Sequence, residues 1–193
     1  MAFTGYFVVQ DAIVFILSAS LGYSLVRRGP GDPTRWVPRN GLMAARWLAG
    51  FLVLAVSLIT AGRHPTPPYY VLSFAGSMLF LAGAVFFYGA KSPMSSILYE
   101  DERTGVSLRP GGFYRFVRHP VFFGLLLCSF GFPLYLVSLP GLIAAAAVAL
   151  PLLLHSSRAL DAYWAGRAGE AYEQYRKAVH LLLPSTSSVW PKG

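Results

Sequence analysis

The sequence predicts an all-α integral-membrane fold. Five transmembrane helices are expected, with a tight helical hairpin between the fourth and fifth and a C-terminal amphipathic helix on the cytoplasmic side. Composition is the first reason. Of 193 residues, 55% are apolar and 12% charged, with mean hydropathy +0.52, far from the balance of an ordinary soluble domain. Segmentation is the second. Five apolar stretches approach the roughly 20 residues that cross a hydrocarbon core about 30 Å thick. The third is the sorting of cations described below.

The first stretch, 6–26, has the hydropathy of a signal peptide but no basic leading region and no small-residue cleavage site before Arg27. It also carries Gln10 and Asp11, so it is expected to persist as a helix with Asp11 near the external interface. A loop, 27–40, follows, broken by Gly29-Pro30-Gly31, Asp32-Pro33 and Pro38. The second stretch is 41–61. A turn rich in proline, 63–68, leads to the third at 69–88. The fourth, 121–138, and fifth, 141–157, are separated by little more than Leu139-Pro140-Gly141, which forces the hairpin. Pro133 and Pro151 each remove a backbone donor and are expected to kink their helices. A chain of this length makes one domain, residues 1–193.

With these five spans, Arg63 alone among the 16 Lys and Arg residues falls on one side. The other cations cluster in 27–46, in 91–118 and after 157. Positive residues accumulate on the cytoplasmic side, so the N-terminus is expected outside and the C-terminus in the cytoplasm. The membrane is either a plasma (inner) membrane or the endoplasmic reticulum. The net charge of +8 is thereby explained by topology and by anionic membrane lipids, and nucleic acid is not expected as a partner. The single cysteine, Cys128, lies inside the fourth stretch. No disulfide framework, redox pair or metal site is indicated.

Two cytoplasmic stretches are neither loop-like nor apolar. The first, 91–120, contains the acidic run Glu100-Asp101-Glu102, expected as a solvated loop, and ends in Gly112-Phe113-Tyr114-Arg115-Phe116-Val117-Arg118-His119-Pro120. The second, 158–184, repeats Tyr163, Tyr172, Tyr175 and Val179 near helical spacing; Tyr163 and Trp164 read as interfacial aromatics. The hairpin brings both stretches to one membrane face. Taken singly, Arg118 is an interfacial anchor, Pro120 is helix punctuation and Gly124 a packing residue. His119 titrates near neutrality and both donates and accepts hydrogen bonds.

Together, Gly112-Phe-Tyr-Arg-x-x-Arg118-His119-Pro120-x-x-x-Gly124 and the later Gly169-x-x-Tyr172-x-x-Tyr175-x-x-x-Val179-x(4)-Pro184 resemble the isoprenylcysteine carboxyl methyltransferase and phospholipid methyltransferase superfamily. The resemblance covers about residues 89–184. It implies S-adenosylmethionine as cofactor, held at the cytoplasmic face, and a lipidated or lipid-soluble methyl acceptor entering from the bilayer. It implies Tyr114, His119, Pro120, Gly124, Tyr172 and Tyr175 as cofactor-binding residues. Arg118 and Arg158 would be the basic groups near the cofactor carboxylate or the acceptor, and Asp161 the acidic residue of the catalytic set. Two departures stand out. Phe122 replaces a tyrosine, and Leu160-Asp161 replaces a pair of acids.

The chemistry implied needs little acid–base equipment. An activated methyl group requires in-line placement and exclusion of water. A carboxylate acceptor is nucleophilic as it stands, and arginines orient it; an amine must first lose a proton, for which Asp161, His119 and Glu170 are candidates. Prenylcysteine-type carboxyl O-methylation is therefore the leading expectation, with phospholipid N-methylation or small-thiol S-methylation as alternatives. Two other classes remain: a membrane reductase using a nicotinamide cofactor, and a non-catalytic homologue, the latter motivated by the broken acidic pair.

Overall fold

The computed structural model describes residues 41–61, 67–91, 98–101, 105–108 and 110–184, together with Val14, Ile16 and Ser20. Helix α1 spans Gly41–Ile59 and α2 Pro67–Lys91. Strands β1 (Leu98–Asp101) and β2 (Gly105–Leu108) follow, then a 3-10 turn, Gly112–Arg115. Helix α3 is Pro120–Tyr135 and α4 Leu139–Ala144. A π-helical turn, Ala145–Ala149, joins α4 to α5, Leu150–Ala178.

The expectation of an all-α chain is corrected in one place. β1 pairs antiparallel with β2, from Leu98↔Leu108 to Asp101↔Gly105, so Glu100 and Asp101 lie in a strand rather than a loop. The other regular elements among the described residues are helical. The expected first span falls almost wholly outside the described residues, as does the loop 27–40. Val14 packs into the core, and Ser20 accepts a hydrogen bond from the Tyr88 hydroxyl (2.7 Å).

The tightest helix pair is α2 against α3, and glycine makes it possible. A Cβ added at Gly124 would stand 2.6 Å from the Gly83 carbonyl oxygen, and one at Gly83 2.7 Å from that of Gly124. Only backbones lacking side chains approach so closely. The pair is antiparallel: Gly76 meets Leu134 and Tyr135, Gly131 meets Phe80, and Gly124 meets Phe87. The C-terminal end of α2 therefore lies beside the start of α3. At the other end, the hydroxyls of Thr60 and Ser138 share a 2.6 Å hydrogen bond, which puts the end of α1 beside the α3–α4 connection.

That connection is Leu136, Val137 and Ser138. Val137 takes φ +49°, and the Ser138 side chain caps α4 by accepting from the Gly141 amide (3.0 Å). Pro151 shows its effect one turn upstream. Proline lacks an amide hydrogen and its ring crowds the carbonyl four residues before it; that residue is Ala147, inside the π-helical turn. The expected kink is thus a widened turn, the form in which a helix absorbs such a mismatch.

Among the described residues two helices are long and apolar enough to cross a membrane, Pro68–Lys91 and the run Leu139–Ala178. The second is 40 residues long, about twice the crossing length, and its apolar part ends near Ser157; from Arg158 it is polar. Val71, Phe74 and Val85 of α2, Phe51 and Leu58 of α1, and Ile143 of α4 are exposed. Large apolar side chains exposed on these helices suit a lipid surrounding.

Candidate functional site

The site forms where the polar half of α5 meets the segment before α3. Asp161 is buried and its carboxylate receives several donors. Arg118 Nη1 reaches Oδ2 at 2.5 Å, His119 Nε2 reaches Oδ1 at 2.7 Å, and the Tyr172 hydroxyl donates to Oδ1 at 2.7 Å. Arg176 Nε stands 4.0 Å from Oδ2. Arg118 and His119 are themselves buried, at 8% and 4% exposure. Burying charge is tolerated only when it is paired and hydrogen-bonded, and Asp161 is the group that meets this condition for its neighbours.

One bond in this set cannot occur in a straight helix. Residues 161 and 172 are eleven apart, which at 1.5 Å per residue separates them by about 16 Å along an axis. No Asp–Tyr pair bridges that span. The chain instead breaks at Gly169, whose φ of 54° and ψ of −131° are non-helical. That combination belongs essentially to glycine. Past Gly169 the chain folds back, carrying Tyr172, Tyr175 and Arg176 towards the start of α3.

Further bonds hold the returning segment. The Tyr175 hydroxyl donates to the Tyr114 carbonyl (2.6 Å). The amides of Arg118 and His119 donate to the carbonyls of His180 (3.0 Å) and Leu181 (3.3 Å). Tyr172, Tyr175, Val179 and Leu182 are buried against Tyr114, Phe122 and Trp164. Trp164, expected at the membrane interface, is therefore a core residue.

Burial lowers the His119 pKa from its usual value, against the opposing pull of Asp161, so the ring is neutral at pH 7. With Nε2–H committed to a carboxylate, the lone pair of that ring lies on Nδ1. Burial pushes the Asp161 carboxyl up, but the bonds from His119 and Tyr172 and the Arg118 charge outweigh it and hold the group below its ordinary value. Arg118 has one loose end. Its Nε is buried and has no hydrogen-bond acceptor among the described residues.

Of the residues expected at the site, Arg118, Asp161, His119, Tyr172, Tyr175 and Tyr114 come together. Pro120 opens α3 directly after the cluster. Gly124 faces α2 and serves the helix contact. Arg158 is exposed and bonds to no member of the cluster, and His155 and Glu170 are likewise exposed. Sequence reasoning missed the backbone break at Gly169, the use of the Tyr114, His180 and Leu181 carbonyls, and the approach of Arg176. Only Gly169 left a signal, as the glycine that opens the Gly-x-x-Tyr-x-x-Tyr element.

A family model described as "Protein of unknown function (DUF1295)" matches residues 42–179. The chain belongs to that family. The match takes in α1, the antiparallel pair and every side chain of the Asp161 cluster, so the family's shared region and the site coincide. No functionally described protein and no solved structure matches the chain.

Proposed function

We propose that this chain is an integral-membrane methyltransferase that uses S-adenosylmethionine and methylates a lipidic acceptor, with a prenylcysteine-type carboxylate as the leading acceptor. The observation that carries the reading is the junction at Asp161. Two stretches more than forty residues apart, each holding half of the resemblance, meet around one buried carboxylate at an end of the helices.

The residues present fit the cofactor in one concrete respect. Arg118 Nε is a buried donor lacking an acceptor, and a carboxylate is the group that an unpaired guanidinium edge prefers. Arg118 would hold the amino-acid carboxylate of the cofactor, with His119, Tyr114, Tyr172 and Tyr175 around it. Bound there, the cofactor supplies a methyl group already activated by its sulfonium. The chain's own work is then to orient, to bury and to exclude water.

The same geometry favours an acceptor that needs no deprotonation. Asp161 accepts from three side chains and is a poor base. His119 is buried, and its burial lowers its basicity. Glu170 is exposed on the surface. A carboxylate acceptor is ionised at neutral pH and requires none of them. The membrane reading goes with this proposal: five spans, an external N-terminus, and the cluster on the cytoplasmic face where lipid-embedded acceptors arrive.

The test is ligand binding followed by transfer. At a hundredfold excess over its dissociation constant, S-adenosylhomocysteine raises the melting midpoint of the purified protein by about 5–10 °C, and Arg118→Ala abolishes the shift. A radiolabelled methyl screen over a farnesylcysteine analogue, phosphatidylethanolamine and small thiols then names the acceptor. No shift with S-adenosylhomocysteine, with NADPH stabilising instead, rejects the proposal in favour of a reductase.

A further inference from the structure

We infer that residues 170–182 form a lid hinged at Gly169, which must swing away from Arg118 and His119 before a ligand reaches them. The hinge is the first ground. Gly169 is exposed, and a Cβ there would meet nothing within 4 Å. Packing therefore does not demand glycine at this position; its backbone angles do. A glycine in open space is free to leave those angles for helical ones, a change that straightens the chain and carries everything after it outward.

The attachments of the segment are the second ground. Beyond Gly169 it is tied to the body through Tyr172 to Asp161, Tyr175 to the Tyr114 carbonyl, and the carbonyls of His180 and Leu181 to the amides of Arg118 and His119. All of these ties end on 114–119 or on the carboxylate that holds it. The segment is thus bonded to the same residues that carry the unpaired donor, and Arg118 Nε is buried at that junction. A ligand bonded to that nitrogen must arrive while the ties are broken. Rejoined, they exclude water from whatever is bound, as lids over reacting groups do.

The identity of the enclosed ligand rests on the methyltransferase reading, but the motion does not. Hydrogen exchange on the full chain in anionic-lipid nanodiscs separates the two. The amides of Arg118 and His119, whose acceptors the segment carries, exchange as one unit well before the α2–α3 amides. Gly169→Ala, which strains the closed form, speeds that unit about tenfold while leaving α2–α3 unchanged. Tyr175→Phe, which keeps the ring and removes one tie, speeds the same amides. Exchange of Arg118 and His119 only with the whole fold, or at a rate that neither variant alters, overturns the lid. Where the unit opens as described, S-adenosylhomocysteine slows it at least tenfold. A unit that opens but ignores S-adenosylhomocysteine leaves the lid standing and sinks the methyltransferase reading.

Discussion

At the scale of single residues, Asp161 is the acceptor around which the cluster assembles. It accepts hydrogen bonds from the side chains of Arg118, His119 and Tyr172, and so fixes which edge of the guanidinium and which nitrogen of the imidazole remain for a ligand. Asp161→Asn strands a buried arginine, and breaking one partner of such a pair costs about 3–5 kcal/mol. Calorimetry should show a lower melting midpoint for that variant, whereas Tyr172→Phe, losing one hydroxyl bond to the carboxylate and stranding no charge, costs about 1.5–3 kcal/mol. Dependence on pH follows from His119. Its folded pKa is depressed by burial, so the unfolded chain takes up a proton first as pH falls. The stability from keeping it neutral is complete above about pH 6.5 and declines below that, down through its folded pKa. Replacement by Asn should flatten that decline; an equally steep fall between pH 6.5 and 5 in His119→Asn assigns it elsewhere.

Among the elements, the antiparallel contact of α2 with α3 rests on glycines that face each other. Gly124→Ala places a methyl group against the Gly83 backbone, and overpacking of this kind costs about 1–3 kcal/mol. Gly50, in α1, supplies the control: a Cβ there meets nothing within 4 Å, so Gly50→Ala should be neutral or mildly stabilising. Equal midpoints for the two variants would remove the close-packing account. How far these elements were legible depends on the kind of force. Apolar runs marked α1, α2 and α3 because burial or lipid exposure needs only hydrophobic side chains over sufficient length. The pairing of Leu98–Asp101 with Gly105–Leu108 was not legible, since four-residue strands have no periodicity to read and an acidic run resembles a loop. Arg118, His119 and Tyr172 were recognisable as a motif, but Asp161 as their common acceptor was not. That bond depends on a backbone break at Gly169, and sequence distance along a helix argues against it.

For the whole molecule, the helix ends sort into two groups that match the sorting of charge. Antiparallel packing sets Lys91 beside Pro120, and the Asp161 cluster joins the polar half of α5 to that same end. Arg115, Arg118, Arg158, Arg167, Arg176 and Lys177 all follow there. The Thr60–Ser138 bond gathers the end of α1 and the α3–α4 connection at the other end, where the only nearby cation in the sequence is Arg63. Among the described residues, the cations from Arg115 to Lys177 therefore gather at one end of the helices. A cysteine scan in a Cys128→Ala background turns this into a measurement. Cysteines replacing exposed Ile59 and Leu139 should react with a membrane-impermeant maleimide in intact cells. Cysteines replacing exposed Phe116 and Glu170 should react only after the membrane is opened. Labelling of positions 139 and 170 from one side would mean that the run Leu139–Ala178 does not cross, and the cytoplasmic placement of the Asp161 cluster would fall with it.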